Sequence, residues 1–279
     1  MEVDLPFLQP HQTSLRVVVL GTGKVAGHLL PALQQAGHEV VGIWSRTLAS
    51  ARAVAVATGV PVLASLQALP PAEVYILPLP DAAVPEVLAA ARFPAGALVV
   101  HTAGALPLSV FAGYPHIRGG VLYPLQTFSP GRPINWATVP LFLEAADAAG
   151  MRTLRQLAAS LSQDVRELTS AQRLQLHVAA VWASNFPNHL LGISHALLQE
   201  ANLPGELLHP LIQETVEKAL SQPPFTAQTG PALRHDASTL ARHEAALARH
   251  PEWQRLYQQL TASIQHTAQE EAANKPAGS

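Results

Sequence analysis

The residue types and patterns that the sequence lacks exclude several kinds of site and several classes of protein. Its 279 residues contain no cysteine, which excludes disulfide bonds, thiolate zinc sites and cysteine nucleophiles. The formal net charge is −2 and the isoelectric point is about 6.7, so the chain has no basic excess of the kind that marks a nucleic-acid-binding protein. We therefore expect no nucleic acid among its partners.

Long apolar runs are absent as well. No stretch approaches the roughly 18 apolar residues that cross a membrane, and the first residues lack the basic and apolar regions of a signal peptide. The 13 histidines are scattered without metal-ligand spacing, so no metal site is expected. These absences favour a cytoplasmic protein with no membrane partner.

Short apolar segments and Ala- and Leu-rich helical segments alternate over the first part of the chain. The apolar runs, such as "RVVVL" and "VVGIW", are continuous, as in strands buried on both faces of a parallel sheet. From Ser170 to the end only helical patterns remain. We predict an α/β Rossmann domain with a doubly wound parallel sheet over residues 15–165, followed by an all-α domain over residues 166–279.

A glycine-rich turn, "GTGKVAG", follows the first strand and opens a helix. Gly21 and Gly23 occupy the first two positions of a dinucleotide-binding turn, and Ala26 occupies the third. A pyrophosphate binds at such a helix start, because free amide groups and the helix dipole favour an anion there. The alternative is a turn that merely needs glycine. The predicted cofactor contacts of this turn are Gly21, Thr22, Gly23, Lys24, Val25 and Ala26.

The second strand ends in "SRT" where an NAD-binding protein carries Asp or Glu. That acid bonds the ribose 2′-hydroxyl and would repel a 2′-phosphate, whereas Arg46 pairs with the phosphate and Ser45 and Thr47 add donors. The alternative, which is compatible with the first, is that Ser45 or Thr47 caps the next helix. The sequence thus predicts NADP as the cofactor.

Two further segments follow predicted strands and so reach the same sheet edge. Leu79 and Pro80 are predicted to line the cofactor ribose. Thr102 and His101 are predicted to lie near the nicotinamide, with His101 as a catalytic proton donor or substrate-orienting group. The alternative for His101 is a histidine that is simply hydrogen-bonded at a strand end.

The helix "LHVAAVWASNFPNHLLGISH" carries polar residues within an apolar sequence. By helical geometry two polar stripes adjoin, and Pro187 should kink the helix between them. These polar residues form either a substrate-facing site or a polar network, the latter between helices or across a dimer interface. The catalytic candidates here are Asn185, Asn188 and His189. The helix also carries more large apolar side chains than packing against one layer of helices can bury, namely Val181, Trp182 and Phe186. They predict a homodimer through the helical domain.

One later segment, "TGPALRHD", reads as a helix start at Pro231. Arg234 and Asp236 follow it. They form either a buried ion pair that fixes the helix or part of the cleft.

These segments together resemble a bacterial family of Rossmann-like proteins joined to a helical domain of unknown function 2520, whose members are described as candidate NADP oxidoreductases. The resemblance rests on "GTGKVAGHL", "WSRT", "LPLPD", "HTAGALPL", "YPLQTFS", "LQLHVAAVWASNFPNHLL" and "TGPALRHDASTLARH". It implies an architecture similar to pyrroline-5-carboxylate reductase and 6-phosphogluconate dehydrogenase relatives, in which a helical domain dimerises and closes the active site.

The resemblance also implies an oxidoreductase acting on a small molecule. Two small departures from the family pattern are Ala103, where Ser is expected in "HTSG", and Ala26, which replaces the third glycine. Related dehydrogenases use a Lys and an Asn on the first long helix, but the lysines of this chain are Lys24, Lys218 and Lys275. The hydroxyacid-dehydrogenase mechanism therefore does not carry over. An NADPH-dependent reductase of a ketone or imine fits, with His101, His189 or water as proton source. A non-catalytic NADP-binding sensor stays open as the alternative.

Overall fold

The structure is a computed structural model that describes residues 14–274. The segment examined for a signal peptide and Lys275 therefore lie outside the described residues. The chain divides into two compact units, one ending at Asn185 and the other beginning at Phe186. The domain boundary expected at residue 166, which falls within a strand, stays a prediction.

The first unit alternates strands and helices. In chain order they are β1 (Arg16–Leu20), α1 (Lys24–Gln35), β2 (Glu39–Trp44), α2 (Leu48–Thr58), β3 (Val74–Leu77), α3 (Ala83–Ala90), β4 (Leu98–His101), β5 (Arg118–Pro124), β6 (Leu141–Ala145), α4 (Ala148–Leu161) and β7 (Val165–Glu167). Gly37 and Gly59 have positive φ just after α1 and α2, which is the conformation that ends a helix.

These strands form one seven-stranded sheet in the order β2-β1-β3-β4-β5-β6-β7. Every neighbouring pair is parallel except β5 and β6. The carboxyl ends of β1 to β5 therefore share one edge of the sheet. The predicted Rossmann class is confirmed, with the helices packed on a mostly parallel sheet.

The continuous apolar strands are buried on both faces, as their sequence indicated. Val17 and Val19 of β1 pack in one hydrophobic cluster with α1 and α4, while Val18 and Leu20 pack in a second cluster with α3. All four side chains are fully buried. This two-sided burial fixes the sheet rigidly, so the loops at its carboxyl edge start from well-defined points.

A long helical stretch begins near the end of the first unit. It comprises α5 (Ser170–Ala180) and a π-helical turn, Val181–Asn185, and the second unit then opens with α6 (Phe186–Glu200). Pro187 has no N–H to bond the carbonyl of Ala183, and the π-helical turn contains that carbonyl. The irregularity expected at Pro187 is thus a π-helical turn directly before α6.

The second unit continues with α7 (His209–Ser221), α8 (Ala237–Ala246) and α9 (Pro251–Asn274). Among its described residues only Ala232 and Leu247 are buried. Large apolar side chains on α6 and α7, including Leu190, Leu211 and Val216, are exposed in the single chain. Within residues 14–274, no helix combines the length and the apolar character that a membrane crossing needs.

The segment "TGPALRHD" differs from its prediction. Residues 231–235 form turns, and the helix begins only at Ala237. The Asp236 carboxylate is its N-cap and accepts a hydrogen bond from the Thr239 N–H at 3.1 Å. Bonds from Thr239 hold the pKa of Asp236 below its usual value. Because Arg234 is exposed, the two residues do not form a buried ion pair.

Candidate functional site

The turn between β1 and α1 approaches the segment after β3 too closely for any side chain. Gly21 has a φ of +147°, a conformation that L-residues rarely adopt. A Cβ there would lie 2.9 Å from Leu79 Cδ2 and 3.1 Å from the Pro78 carbonyl oxygen. The Gly21 N–H donates to the Trp44 carbonyl at 2.8 Å. The turn is therefore joined to the ends of both β2 and β3.

The start of α1 leaves backbone donors unused. Gly23 is the N-cap and no side chain caps the helix, and the first helical bond runs from the Gly27 N–H to the Gly23 carbonyl at 3.0 Å. The amides of Lys24, Val25 and Ala26 consequently have no intrahelical acceptor. Such amides and the positive end of the helix dipole suit an anion.

A groove of about 620 Å³ runs along this part of the sheet edge. It brings together eight of the predicted cofactor residues: Gly21, Thr22, Gly23, Ser45, Arg46, Thr47, Leu79 and Pro80. Lys24, Val25, Ala26 and Thr102 do not line it. Ala26 is instead fully buried under the helix, where a small residue lets α1 pack closely on the sheet.

The end of the groove beside β2 is rich in hydroxyl groups. The Thr22 hydroxyl donates to Ser45 Oγ at 2.9 Å, and Thr47 Oγ1 lies 2.6 Å from Ser50 Oγ. Thr47 occupies the N-cap position of α2, but its side chain makes no capping bond. Arg46 is exposed, and no carboxylate in the described part of the chain pairs with it. Its guanidinium is available to an anionic ligand.

Other residues of the groove were not predicted from the sequence. They are Trp44, Ser50, Leu66, Pro78, Ala83, Glu86, Val87 and Ala90. Trp44 and Ser50 flank the "SRT" segment and could have been found by extending it. Which residues of α3 line the groove depends on how that helix packs against the sheet, and no local pattern reveals this packing.

His101 ends β4 and is fully buried. Its Nδ1 accepts a hydrogen bond from the Ala103 N–H at 3.2 Å, and its ring stacks on Phe111 with centroids 5.7 Å apart. Nε2 has no partner among the described residues. Burial, and next to it the Arg173 charge, lower the pKa of His101 to about 3. The ring is therefore neutral near pH 7, and its catalytic role stays a prediction.

A buried charge network fixes the start of α5. The guanidinium of Arg173 is 1% exposed and pairs with the Glu144 carboxylate, which also accepts the Ser170 N–H at 2.9 Å. The second guanidinium nitrogen of Arg173 donates to the Leu106 carbonyl at 2.6 Å. This network ties α5 to β6 and to the loop that follows β4. The sequence did not indicate it, since its members lie far apart along the chain.

One turn further along α5, His177 meets the same loop. Its Nδ1 lies 3.0 Å from the Tyr123 hydroxyl oxygen, and the two rings meet edge to face at 5.9 Å. A Cβ on Gly104 would collide with the His177 ring. Burial raises the pKa of Tyr123, so its hydroxyl is neutral near pH 7. This pair was also missed, although the segment "LHVAAVWASNFPNHLLGISH" includes His177.

The remaining catalytic candidates lie on the π-helical turn and on α6. Asn185 ends the first unit, and Asn188 and His189 belong to the second. All three are exposed, and their side chains make no hydrogen bond within the described residues. Their catalytic role stays a prediction, as does that of Thr102, which is buried. Across residues 14–274 no group of three His, Cys, Asp or Glu side chains is arranged to hold a metal ion.

Comparison with known proteins shows the family of this chain. Residues 7–126 match a Rossmann-like domain, and residues 139–264 match a domain of unknown function, DUF2520. A Bacteroides fragilis protein named as a candidate NADP oxidoreductase, BF3122, is 37% identical over 91% of this chain and 98% of its own, with a TM-score of 0.83. The chain therefore belongs to the family of Rossmann-like proteins with a carboxyl-terminal DUF2520 domain, which confirms the resemblance.

More distant structures share the fold. A reductive aminase from Aspergillus terreus, in complex with NADPH and ethyl-5-oxohexanoate, is 18% identical over 92% of this chain and 95% of its own, with a TM-score of 0.69. An imine reductase from Myxococcus stipitatus, in complex with NADP+, is 16% identical over 93% and 95%, with a TM-score of 0.62. A search of curated proteins gave no match.

The buried neutral ring of His101 predicts a pH dependence of stability. Its pKa of about 3 in the folded chain is below the ordinary value of 6.5, so the unfolded chain binds more protons between these values. Its stabilising contribution is complete above pH 6.5 and is lost as the pH falls toward 3. At pH 4 the loss is on the order of 3 kcal/mol.

Urea unfolding between pH 4 and pH 8 measures this effect. His101→Asn keeps an acceptor for the Ala103 N–H and should flatten the profile over that range. The exposed His266→Asn is the matched control and should keep the wild-type profile. Parallel profiles for wild type and His101→Asn would contradict the assignment.

Proposed function

We propose that the chain is an NADP(H)-dependent oxidoreductase that reduces a small carbonyl or imine compound by hydride transfer. The observation that carries this proposal is the groove that joins the Gly21 turn to the free guanidinium of Arg46. NADP is the cofactor named for the Bacteroides fragilis relative. A cytoplasmic location and a small-molecule substrate belong to the same proposal.

The residues of the groove and of the adjoining start of α1 fit the parts of NADP. The unpaired amides of Lys24, Val25 and Ala26 would hold the pyrophosphate. Arg46 would pair with the 2′-phosphate, with Ser45 and Thr47 as further donors. Leu79 and Pro80 would pack against the ribose. No carboxylate follows β2 directly, and the carboxylate that lines the groove, Glu86, lies on α3.

The reactive end of the cofactor would then lie further along the edge, toward β4. This direction follows from the strand order, since β3 and β4 are the next strands after β1. NADPH, when bound, supplies a hydride. Thr102 would contact the nicotinamide, and Asn185, Asn188 and His189 would orient the substrate. Because His101 is enclosed and neutral, we propose that it shapes the loop after β4.

The sequence also keeps a second function open, a non-catalytic NADP-binding sensor. The observation that favours it is the absence of lysine between Lys24 and Lys218, which removes the group that related dehydrogenases use on the long helix. The two functions share the cofactor groove and differ only in whether a substrate is turned over.

We further propose that the protein is a homodimer through its helical unit. With only Ala232 and Leu247 buried among its described residues, that unit has almost no enclosed core in the single chain. Its helices instead expose Leu207, Leu211, Val216 and Leu220. Large exposed apolar side chains of this kind favour an interface, and a second copy would bury them.

The first prediction concerns cofactor choice. Arg46→Ala should weaken NADPH binding by about 10- to 100-fold, because a charge-assisted hydrogen bond to phosphate contributes roughly 1.5–3 kcal/mol. NADH binding should change little. Fluorescence titration of both cofactors measures the effect, with Arg52→Ala, an exposed arginine of α2 outside the groove, as control. Equal losses for the two cofactors would refute the assignment.

Turnover separates the enzyme from the sensor. NADPH oxidation is followed at saturating cofactor with ethyl levulinate, ethyl 5-oxohexanoate, 1-pyrroline, and cyclohexanone with and without allylamine. The reductase predicts oxidation above the rate without substrate for at least one of these ketones or imines. Tight NADPH binding with no oxidation for any of them would favour the sensor.

Light scattering tests the dimer. At micromolar concentration the protein should have twice the 29.6 kDa mass of the chain. Leu211→Glu, which places a charge on the apolar surface of α7, should shift the mass toward the monomer. Gln222→Glu, an exposed position just after α7, is the control and should leave the dimer intact. A monomeric wild type would contradict the proposal.

A further inference from the structure

Tyr123 and His177 form a hydrogen-bonded pair at the carboxyl edge of the sheet. We infer that His177 is the proton donor of the reduction and that Tyr123 is a positioning residue that holds its ring. This inference rests on the proposed function and extends it to the residues that complete the reaction.

The pair lies where the reactive end of the cofactor would be. Tyr123 is near the carboxyl end of β5, which is parallel to β4, and His177 packs against Gly104 in the loop after β4. In open α/β sheets ligands bind beyond these strand ends. The groove already accounts for the ends of β1, β2 and β3. The ends of β4 and β5 are the next positions along the same edge.

Tyr123 and His177 differ in burial, and this difference indicates which of them contacts the substrate. Tyr123 is 8% exposed, whereas His177 is half-buried, so the histidine ring is the more accessible of the two. The Tyr123 hydroxyl and Nδ1 of His177 lie at hydrogen-bond distance, and with the hydroxyl as donor Nδ1 is the acceptor. That bond leaves the ring proton of His177 on Nε2, the nitrogen that points away from Tyr123.

The surrounding chain holds the His177 ring in place. Gly104 has no side chain, and any Cβ there would occupy the space of the ring. Arg173, one turn earlier on α5, anchors the helix to Glu144 and to the Leu106 carbonyl. A proton donor must stay within hydrogen-bond reach of the reacting atom, and these contacts provide that fixed position.

The other candidates are less suited. His101 is enclosed and its pKa of about 3 leaves it neutral, so it has no imidazolium proton to give near pH 7. The sequence has no lysine between Lys24 and Lys218. His189 makes no hydrogen bond within the described residues, so nothing there fixes its ring.

The proposed reduction transfers one hydride and one proton to the substrate. The substrate carbon accepts the hydride that NADPH supplies when bound, the C=O or C=N π-bond breaks, and its electron pair moves to oxygen or nitrogen. That atom takes the Nε2 proton of the His177 imidazolium. In the imidazolium, Nδ1–H donates to the Tyr123 oxygen. The neutral ring left behind regains a proton from water.

The test compares variants of the full chain, loaded with NADPH, on the carbonyl or imine probe that the wild type reduces fastest. His177→Ala should lower kcat by about 100-fold or more, and millimolar imidazole should restore part of the rate. NADPH affinity should stay at the wild-type value, which shows that the variant is folded. Tyr123→Phe should lose less activity than His177→Ala.

A matched control pair exists in the second unit. His243 Nδ1 lies 2.8 Å from the Tyr257 hydroxyl oxygen, with the rings edge to face at 5.8 Å. His243→Ala and Tyr257→Phe remove the same groups from the same kind of pair. Both should keep the wild-type kcat.

A second readout needs no turnover. ¹⁵N NMR of the histidine rings, at a pH where His177 is neutral, should show the Nε2–H tautomer in the wild type. In Tyr123→Phe the two tautomers should mix, while Tyr257→Phe should leave the His177 signals unchanged. Identical His177 signals in wild type and Tyr123→Phe would overturn the positioning role.

The kinetic outcomes distinguish this inference from the proposed function. A wild type that oxidises NADPH with none of the probes would overturn the reductase, and the proton-donor role with it. An active wild type together with His177→Ala within about threefold of its kcat would overturn the proton-donor role alone. Loss of activity without imidazole rescue would assign His177 a structural role and would also overturn it.

Discussion

The close approach of the Gly21 turn to the segment after β3 is the constraint on which the candidate site depends. Gly21 has a φ of +147°, which residues with a side chain rarely adopt, and Leu79 and Pro78 occupy the space that a Cβ would need. The same residue bonds the Trp44 carbonyl. Because Arg46 follows Trp44 by two residues, this contact brings the guanidinium, Leu79 and the open start of α1 to one groove.

A second constraint joins α5 to the sheet. The Glu144 carboxylate accepts bonds from Ser170 at the start of the helix and from the buried guanidinium of Arg173. Removing one partner of such a buried pair leaves an unpaired charge, which typically costs roughly 3–5 kcal/mol. The pair therefore specifies where α5 begins, and with it the position of His177 beneath the loop after β4. The groove and the proposed proton donor are in this way attached to one rigid sheet.

Local patterns in the sequence were sufficient for the fold and for much of the groove. β1 was predicted at its observed bounds, and the glycine turn with "SRT" gave six of the sixteen residues that line the groove. The contacts that escaped prediction join distant residues: Tyr123 and His177 are 54 positions apart, and Arg173 and Glu144 are 29 apart. The helix start expected at Pro231 was wrong because Asp236 supplies a better cap. Which apolar side chains of the second unit are exposed depends on how its helices pack, and no local pattern reveals that packing.

A crystal structure of the protein grown with NADPH tests the central claim most directly. The account predicts the pyrophosphate at the amides of Lys24, Val25 and Ala26, and the 2′-phosphate within hydrogen-bond distance of the Arg46 guanidinium. NADPH bound elsewhere on the chain, or a groove that stays empty at saturating NADPH, would contradict it.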